Sequence, residues 1–269
     1  MPIDRDTGER LRSLYAADGG VRTVFSEKVS DYTASRPGYP DGLYQELTDR
    51  CAPLADVTVA DIGAGTGLLT RGLLDKGYRV IAVEPNAEMR RAADYFLQGE
   101  SRYRSVEGCA EVMPLATGSI DLITAAQAFH WFENDRAMPE FLRVLSPQGQ
   151  VALIWNDRVL EDPLHVALDK IFAEFGGAKR EALVAHENRS DVPRFFGSGR
   201  LENFAWPHVH YLEESGLLSL IFSRSYIPGR DTGKGREIAE RAREVFSRFA
   251  TKGRVAVRYL TVAMLGRPA

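Results

Sequence analysis

The sequence predicts an α/β chain: a doubly wound, mostly parallel seven-stranded sheet with helical cap insertions. Three observations carry this. Between residues 57 and 156, short apolar runs alternate with amphipathic stretches of helical period. The stretch "VADIGAGTGLL" at 59–69 puts Gly63, Gly65 and Gly67 between one such run and the next. Two further β-like runs close the chain after a long helical stretch.

The elements follow in order. Residues 1–20 are polar and end in "DGG", a loosely held helix or tail. "FSEKVSDYTASRPGYPDGLYQEL" is broken by Pro37 and Pro40, which makes it helix, turn and a second helix from Asp41. "VTVADIG" is a short buried strand, and "LLTRGLLDKG" a helix closed by Gly77. "RVIAVEP" is the second strand and "NAEMRRAADYFL" the second core helix. "RYRSVEG" is a third, weaker strand. "IDLITAAQAF" is a fourth, apolar throughout as a strand covered on both faces should be. "DRAMPEFLRVLSP" is a helix, followed by a Pro-Gln-Gly turn and the fifth strand, "GQVALIWN". Strands joined through helices imply right-handed crossovers and parallel pairing.

After Asn156 the alternation stops. "DPLHVALDKIFAEFGG" is helical, and so is 213–250, with a break at Pro228-Gly229. "ENFAWPHVHYL" and "RVAVRYLTVAML" are the last two strands; Pro207 suits a sheet edge. The expected organisation is one structural domain: an N-terminal helical segment (1–56), an α/β core (57–156), and cap helices at about 158–200 and 213–250 with the two final strands (157–269).

Composition narrows the function. Net charge is −3 and the isoelectric point is about 6.0, so no electrostatic case exists for nucleic acid or an anionic membrane. The basic run "KGREIAERAREVFSRFATKGR" reads as a solvated helix face. Cys51 and Cys109 sit in no metal spacing and read as free thiols of a reducing compartment. His208 and His210 share a strand face, but no third ligand accompanies them, so no metal is expected. The charged N-terminus has no apolar core and no window suits a membrane span, which leads to an expectation of a cytoplasmic protein.

Glycine in a strand-to-helix turn permits positive φ and lets a ligand approach the backbone. The next helix start offers unpaired N–H groups. A dinucleotide turn has G-x-G-x-x-G spacing. Here the spacing is G-x-G-x-G with Leu68 in the sixth place. Glu84 ends the second strand, 19 residues after Gly65, where an acid accepts hydrogen bonds from both ribose hydroxyls of an adenosine. Free hydroxyls suit NAD, FAD or S-adenosylmethionine; a tight turn beside a surface Glu is the plainer alternative.

These residues resemble the class I S-adenosylmethionine-dependent methyltransferases. "VADIGAGTG" is similar to their first motif, and "VEP" followed by "EMR" to their second. "GCAEVMPLATGSIDLITAAQAFHWF" and "FLRVLSPQGQVALIW" resemble the stretches through the fourth and fifth strands. "YTASRPGYP" with "AQAFHWF" resembles the small-molecule branch that holds the trans-aconitate methyltransferases. The resemblance implies a Rossmann-like fold, S-adenosyl-L-methionine as cofactor, S-adenosyl-L-homocysteine as product, and a small-molecule methyl acceptor.

It also implies roles. Gly63, Gly65 and Gly67 would pass under the methionine part and ribose, with Asp61 near the methionine amino group and Glu84 on the ribose hydroxyls. Pro85 and Met89 would wall the adenine, although Met89 equally suits plain core packing. Ala110 and Glu111 would contact the adenine ring and its amine, and Gln127 would face the transferred methyl. Tyr32 and Arg36 would close over the cofactor, one of them meeting its carboxylate. His130 is either a general base or, with Trp131 and Phe132, part of an aromatic wall. Trp155 and Asn156 end the fifth strand at the rim, and Arg224 and Tyr226 would reach down from the cap. Arg224 would serve an acidic acceptor; a carboxylate nucleophile needs no base. A cofactor-binding regulator without catalysis and an NAD-dependent oxidoreductase are the competing readings.

Overall fold

The computed structural model describes residues 6–16, 19, 20, 23, 25–50, 57–186 and 189–269, and the side chains of these apart from 6–8 and 186. Cys51 therefore lies outside the described residues, as does the side chain of His186.

Seven strands form one sheet in the order β3-β2-β1-β4-β5-β7-β6. The strands are β1 (Thr58–Ile62), β2 (Arg79–Val83), β3 (Tyr103–Val106), β4 (Ile120–Ala126), β5 (Leu145–Arg158), β6 (Leu201–Leu212) and β7 (Val255–Gly266). The first five pair in parallel; β7 runs antiparallel to both β5 and β6. The outermost strands are β3, which is short, and β6, which carries Pro207 at an edge, where proline is tolerated.

Two helical layers cover the core strands. On one face α3 (Asp41–Arg50) and α4 (Leu68–Asp75) bury Leu43, Leu47, Leu69 and Leu73 against Val59, Val80 and Ile154. On the other, α6 (Asn134–Val144) and α8 (Val192–Phe196) bury Phe141, Val144, Phe195 and Phe196 against Ile123, Leu153 and Ala125. The amphipathic α5 (Ala87–Phe96) starts at Asn86, whose side chain accepts from the amides of Glu88 and Met89. A third apolar cluster joins α7 (Pro163–His186), α9 (Glu214–Phe222) and α10 (Gly233–Phe249) to Val255, Val257 and Tyr259 of β7. It lies beyond the C-terminal end of β5, because Arg158 pairs with Tyr259.

The structure corrects several boundaries. The Pro-Gln-Gly turn does not separate a helix from a strand. Its residues sit inside β5, where the register shifts from Ile120↔Leu145 to Leu122↔Gln150. Gly149 is required there: a Cβ would lie 2.8 Å from the Ile120 carbonyl oxygen. The fourth strand ends at Ala126 rather than Phe129, because Gln127 turns to φ 55° and a 3₁₀ turn covers Phe129–Trp131. At the Gly176-Gly177 pair the expected end holds: Gly177 leaves helical backbone (φ 53°, ψ −153°), and α7 is two helices meeting at a kink there. The break between α9 and α10 is a whole stretch, 223–232. Among the described residues, no helix is long and apolar enough to cross a membrane.

Candidate active site

The strand order reverses between β1 and β4, so helices leave these neighbours in opposite directions and open a crevice at their C-terminal ends. Gly63 follows β1 and Gln127 follows β4, so both face this crevice. Amides of Gly63 and Ala64 donate to the Val83 carbonyl at 2.8 and 3.3 Å, which turns the chain over the end of β2.

Gly63, Gly65 and Gly67 all have positive φ (68°, 57° and 84°). Their surroundings differ. A Cβ on Gly65 would meet no protein atom within 4 Å, so that edge of the turn faces open space. A Cβ on Gly67 would lie 2.9 Å from Leu97 Cδ1. Gly67 therefore serves packing between α4 and the end of α5.

Glu84 is tied to this turn. Its Oε2 accepts from the Gly65 amide at 3.0 Å and its Oε1 from the Asn86 amide at 2.9 Å. Only 8% of the residue is exposed. Burial pushes its pKa up, opposed by those two amides and by Arg90. Each oxygen has used one lone-pair direction, so acceptor capacity remains.

A cavity of about 90 Å³ starts at these residues. Of the twelve predicted cofactor residues, Tyr32, Gly63, Gly65, Glu84, Pro85, Met89, Ala110, Glu111 and Gln127 line it. Met89 is both buried, at 3% exposure, and part of the wall. Gln127 is one of few non-glycine residues at positive φ; its amide donates to the Ile154 carbonyl at 2.9 Å and its Nε2 to the Asn156 carbonyl at 3.3 Å. Such a conformation costs of order 1–3 kcal/mol and persists where its surroundings impose it.

Gly67 and Asp61 stand outside these walls. The Asp61 carboxylate is 1% exposed and accepts from Thr70 Oγ1 at 2.7 Å and Thr124 Oγ1 at 2.9 Å. Burial pushes its pKa up to about 6, against those two bonds. In this arrangement Asp61 joins β1, α4 and β4 beneath the turn.

A second, larger cavity of about 360 Å³ shares Phe25, Tyr32, Gln127 and Trp131 with the first. Arg36 and all five predicted acceptor-pocket residues, His130, Trp131, Trp155, Arg224 and Tyr226, line it. The His130 ring lies against Trp131 with centroids 4.9 Å apart. The Arg189 guanidinium covers Trp155 at 4.3 Å, and that of Arg224 covers Phe172 at 4.9 Å. Sequence reasoning did not single out Phe25, Tyr39, Arg158 or Tyr259, which also form the wall. The alternation of "RVAVRYL" puts Tyr259 on the same face as Val257, but only the pairing with β5 directs that face to the cavity.

The segment before β1 is held over both cavities by polar anchors. Lys28 Nζ donates to the carbonyls of Phe222, the last residue of α9 (2.9 Å), and of Ile227 in the stretch after it (2.8 Å). On α2 (Val29–Ser35), Asp31 pairs with Arg230. Arg36 donates from Nε to Ser223 Oγ at 3.0 Å and from Nη2 to the Ser223 carbonyl at 3.2 Å, and lies 4.7 Å over the Tyr32 ring.

This glycine turn, acid and crevice on a 3-2-1-4-5-7-6 sheet define a nucleoside-binding α/β protein. Comparison with known proteins gives the class. The methyltransferase-domain family matches residues 60–153. An uncharacterised methyltransferase of Mycobacterium tuberculosis is 32% identical over 243 residues, 89% of this chain and 93% of the relative. A methyltransferase-like protein of Schizosaccharomyces pombe is 32% identical over 216 residues, 76% of this chain and 78% of the relative. In fold, the chain is similar to a structure named as a type II methyltransferase from Anaeromyxobacter dehalogenans (TM-score 0.62, 21% identity, 86% of this chain and 96% of that one). It is similar too to one named as an antibiotic-pathway methyltransferase from Anabaena variabilis (TM-score 0.58, 19% identity, 86% and 98%). The chain belongs to the class I S-adenosylmethionine-dependent methyltransferases, and S-adenosylmethionine is its cofactor.

Proposed function

We propose that the protein transfers a methyl group from S-adenosylmethionine to an O, N or C nucleophile of a small organic molecule held in the larger cavity. The observation that carries this is the junction of two cavities through shared walls, at Tyr32, Gln127 and Trp131. One cavity has the lining of an adenosine site and the other the size of a small-molecule site.

The residues fit the cofactor on two counts. The open side of Gly65 leaves room for close backbone approach, and the Glu84 carboxylate keeps acceptor capacity for ribose hydroxyls. Pro85, Met89, Ala110 and Glu111 would hold the adenine, and Tyr32 and Arg36 the methionine end. Asp61 acts through the turn, as a positioning residue. S-adenosylmethionine supplies a methyl group on a sulfonium. The protein's part is to align the acceptor in line with it and to exclude water, and oriented binding lowers such barriers by several kcal/mol. Phe25 and Trp131, which line both cavities, and the segment anchored by Lys28 and Arg36 would screen the junction from solvent. His130 stands in the acceptor wall, where it serves as a base for acceptors that must lose a proton.

Calorimetric titration with S-adenosylmethionine, S-adenosylhomocysteine and NAD tests the reading. The two sulfur compounds should bind and NAD should not. Binding of NAD alone overturns it. Binding of the sulfur compounds without S-adenosylhomocysteine release on any metabolite extract supports a non-catalytic binding protein instead.

A further inference from the structure

We infer that Asn156 is a positioning residue for methyl transfer: its side-chain amide fixes the stretch that carries Arg36 and Tyr39, and its main-chain carbonyl fixes Gln127. This rests on the methyl-transfer reading above, and on the place given there to Arg36 at the methionine end of the cofactor.

The first support is convergence. Asn156 lies near the C-terminal end of β5 and lines the larger cavity. Its carbonyl accepts from Gln127 Nε2 at 3.3 Å, and Gln127 lines both cavities. Its Nδ2 donates to the Gly38 carbonyl at 3.1 Å. Gly38 stands between Arg36 and Tyr39, which both line the larger cavity. One residue thus ties the segment before β1 and the end of β4 to the same strand. Alignment is most of what an in-line displacement asks of a protein, so a tie between these two walls bears on the reaction.

The second support is the need of that stretch for an outside anchor. It joins α2 to α3, and Pro37 and Pro40 bring no N–H to it. Side chains of the sheet supply bonds instead. His210 Nε2 donates to the Ser35 carbonyl at 3.1 Å, and Asn156 holds the Gly38 carbonyl.

The third support is that one orientation of the amide satisfies its neighbours. A carbonyl only accepts, so the atom facing Gly38 has to be Nδ2. Oδ1 then faces Thr261, its cross-strand partner on β7, whose hydroxyl donates to it at 2.6 Å. Thr261 is 0% exposed, so water does not compete for that hydroxyl. A reversed amide would set Oδ1 against the Gly38 carbonyl, acceptor against acceptor. Thr261 therefore sets Asn156, and Asn156 sets Gly38.

The test compares two ligands by calorimetry: S-adenosylhomocysteine, and methylthioadenosine, which lacks the amino-acid end. Asn156→Ala should weaken S-adenosylhomocysteine about fivefold, the scale of one lost hydrogen bond, and change methylthioadenosine less than twofold. Thr261→Val leaves Oδ1 without its donor and should show the same selective loss. Thr261→Ser keeps the hydroxyl and should recover the affinity. Equal loss of both ligands in Asn156→Ala overturns the proposal, because general loosening of the site would do the same. Unchanged S-adenosylhomocysteine affinity in both Asn156→Ala and Thr261→Val overturns it, as does Thr261→Ser binding no better than Thr261→Val. Thr261→Val keeps the side-chain shape and keeps the test open if Asn156→Ala fails to fold. Failure of the underlying reading shows differently, as a wild-type protein that does not bind S-adenosylhomocysteine at all.

Discussion

The carboxylate of Glu84 accepts a hydrogen bond from the Gly65 amide at 3.0 Å, which ties the end of β2 to the turn after β1. One group thus shapes the turn and borders the smaller cavity. Glu84→Gln keeps the side-chain shape but loses the charge. It should weaken S-adenosylhomocysteine binding by about 1.5–3 kcal/mol, the scale of a hydrogen bond to a charged group. Calorimetry reads this directly, and unchanged affinity would remove Glu84 from the site.

Gly65 and Gly67 should behave as two kinds of glycine. Gly67→Ala combines φ 84° with a contact of 2.9 Å to Leu97, so it should cost about 2 kcal/mol or more of stability. Gly65→Ala meets no protein atom and should cost only about 1–2 kcal/mol for its backbone, while cofactor affinity falls. Chemical denaturation and S-adenosylhomocysteine titration on both variants check the contrast. Equal effects on stability and binding would contradict it.

Gln127 holds φ 55° at the junction of the cavities. Gln127→Gly should remove the backbone strain and raise stability by up to about 1 kcal/mol. Turnover should fall at the same time, because the side chain facing both cavities is lost. A variant with lower stability and full turnover would mean that the strain serves no site.

Asp61 makes stability depend on pH. Its folded pKa of about 6 lies above the ordinary value of 3.8, because burial disfavours the carboxylate. A raised acid keeps its proton in the folded state where the unfolded chain has released it. Its contribution therefore favours folding at low pH and is lost as pH rises toward and through 6. Between pH 5 and 7.5 the loss should be about 1.4 kcal/mol. Asp61→Asn should remove this part of the pH dependence from the denaturation midpoints, whatever its effect on absolute stability. An identical pH dependence in the variant would assign it to another group.

Much of the fold was legible because the signals are local. Apolar runs, helical periods and the glycine turn each lie within about ten residues, and all seven strands were expected in the right order. The misplaced limits share one cause. Pairing with Ile120 and Leu122, not local preference, keeps the Pro-Gln-Gly residues inside β5. At Gly177, by contrast, local preference decides: the glycine pair ends the first helix of α7, and Gly177 takes φ 53°.

The site divides along the same line. Gly63, Gly65, Glu84, Pro85 and Met89 stand at fixed offsets from the ends of adjacent parallel strands, so the sequence by itself determined that they would meet at one crevice. The larger cavity is different. Arg36 reaches it through Ser223, 187 residues away, and Tyr259 through the antiparallel register that sets it beside Arg158. Only the tertiary structure decided that wall, because its residues come from separate elements whose approach depends on the packing of α2, α9 and β7 together. Parallel βα units carry their geometry with them; a cavity between distant elements exists only once the chain has closed around it.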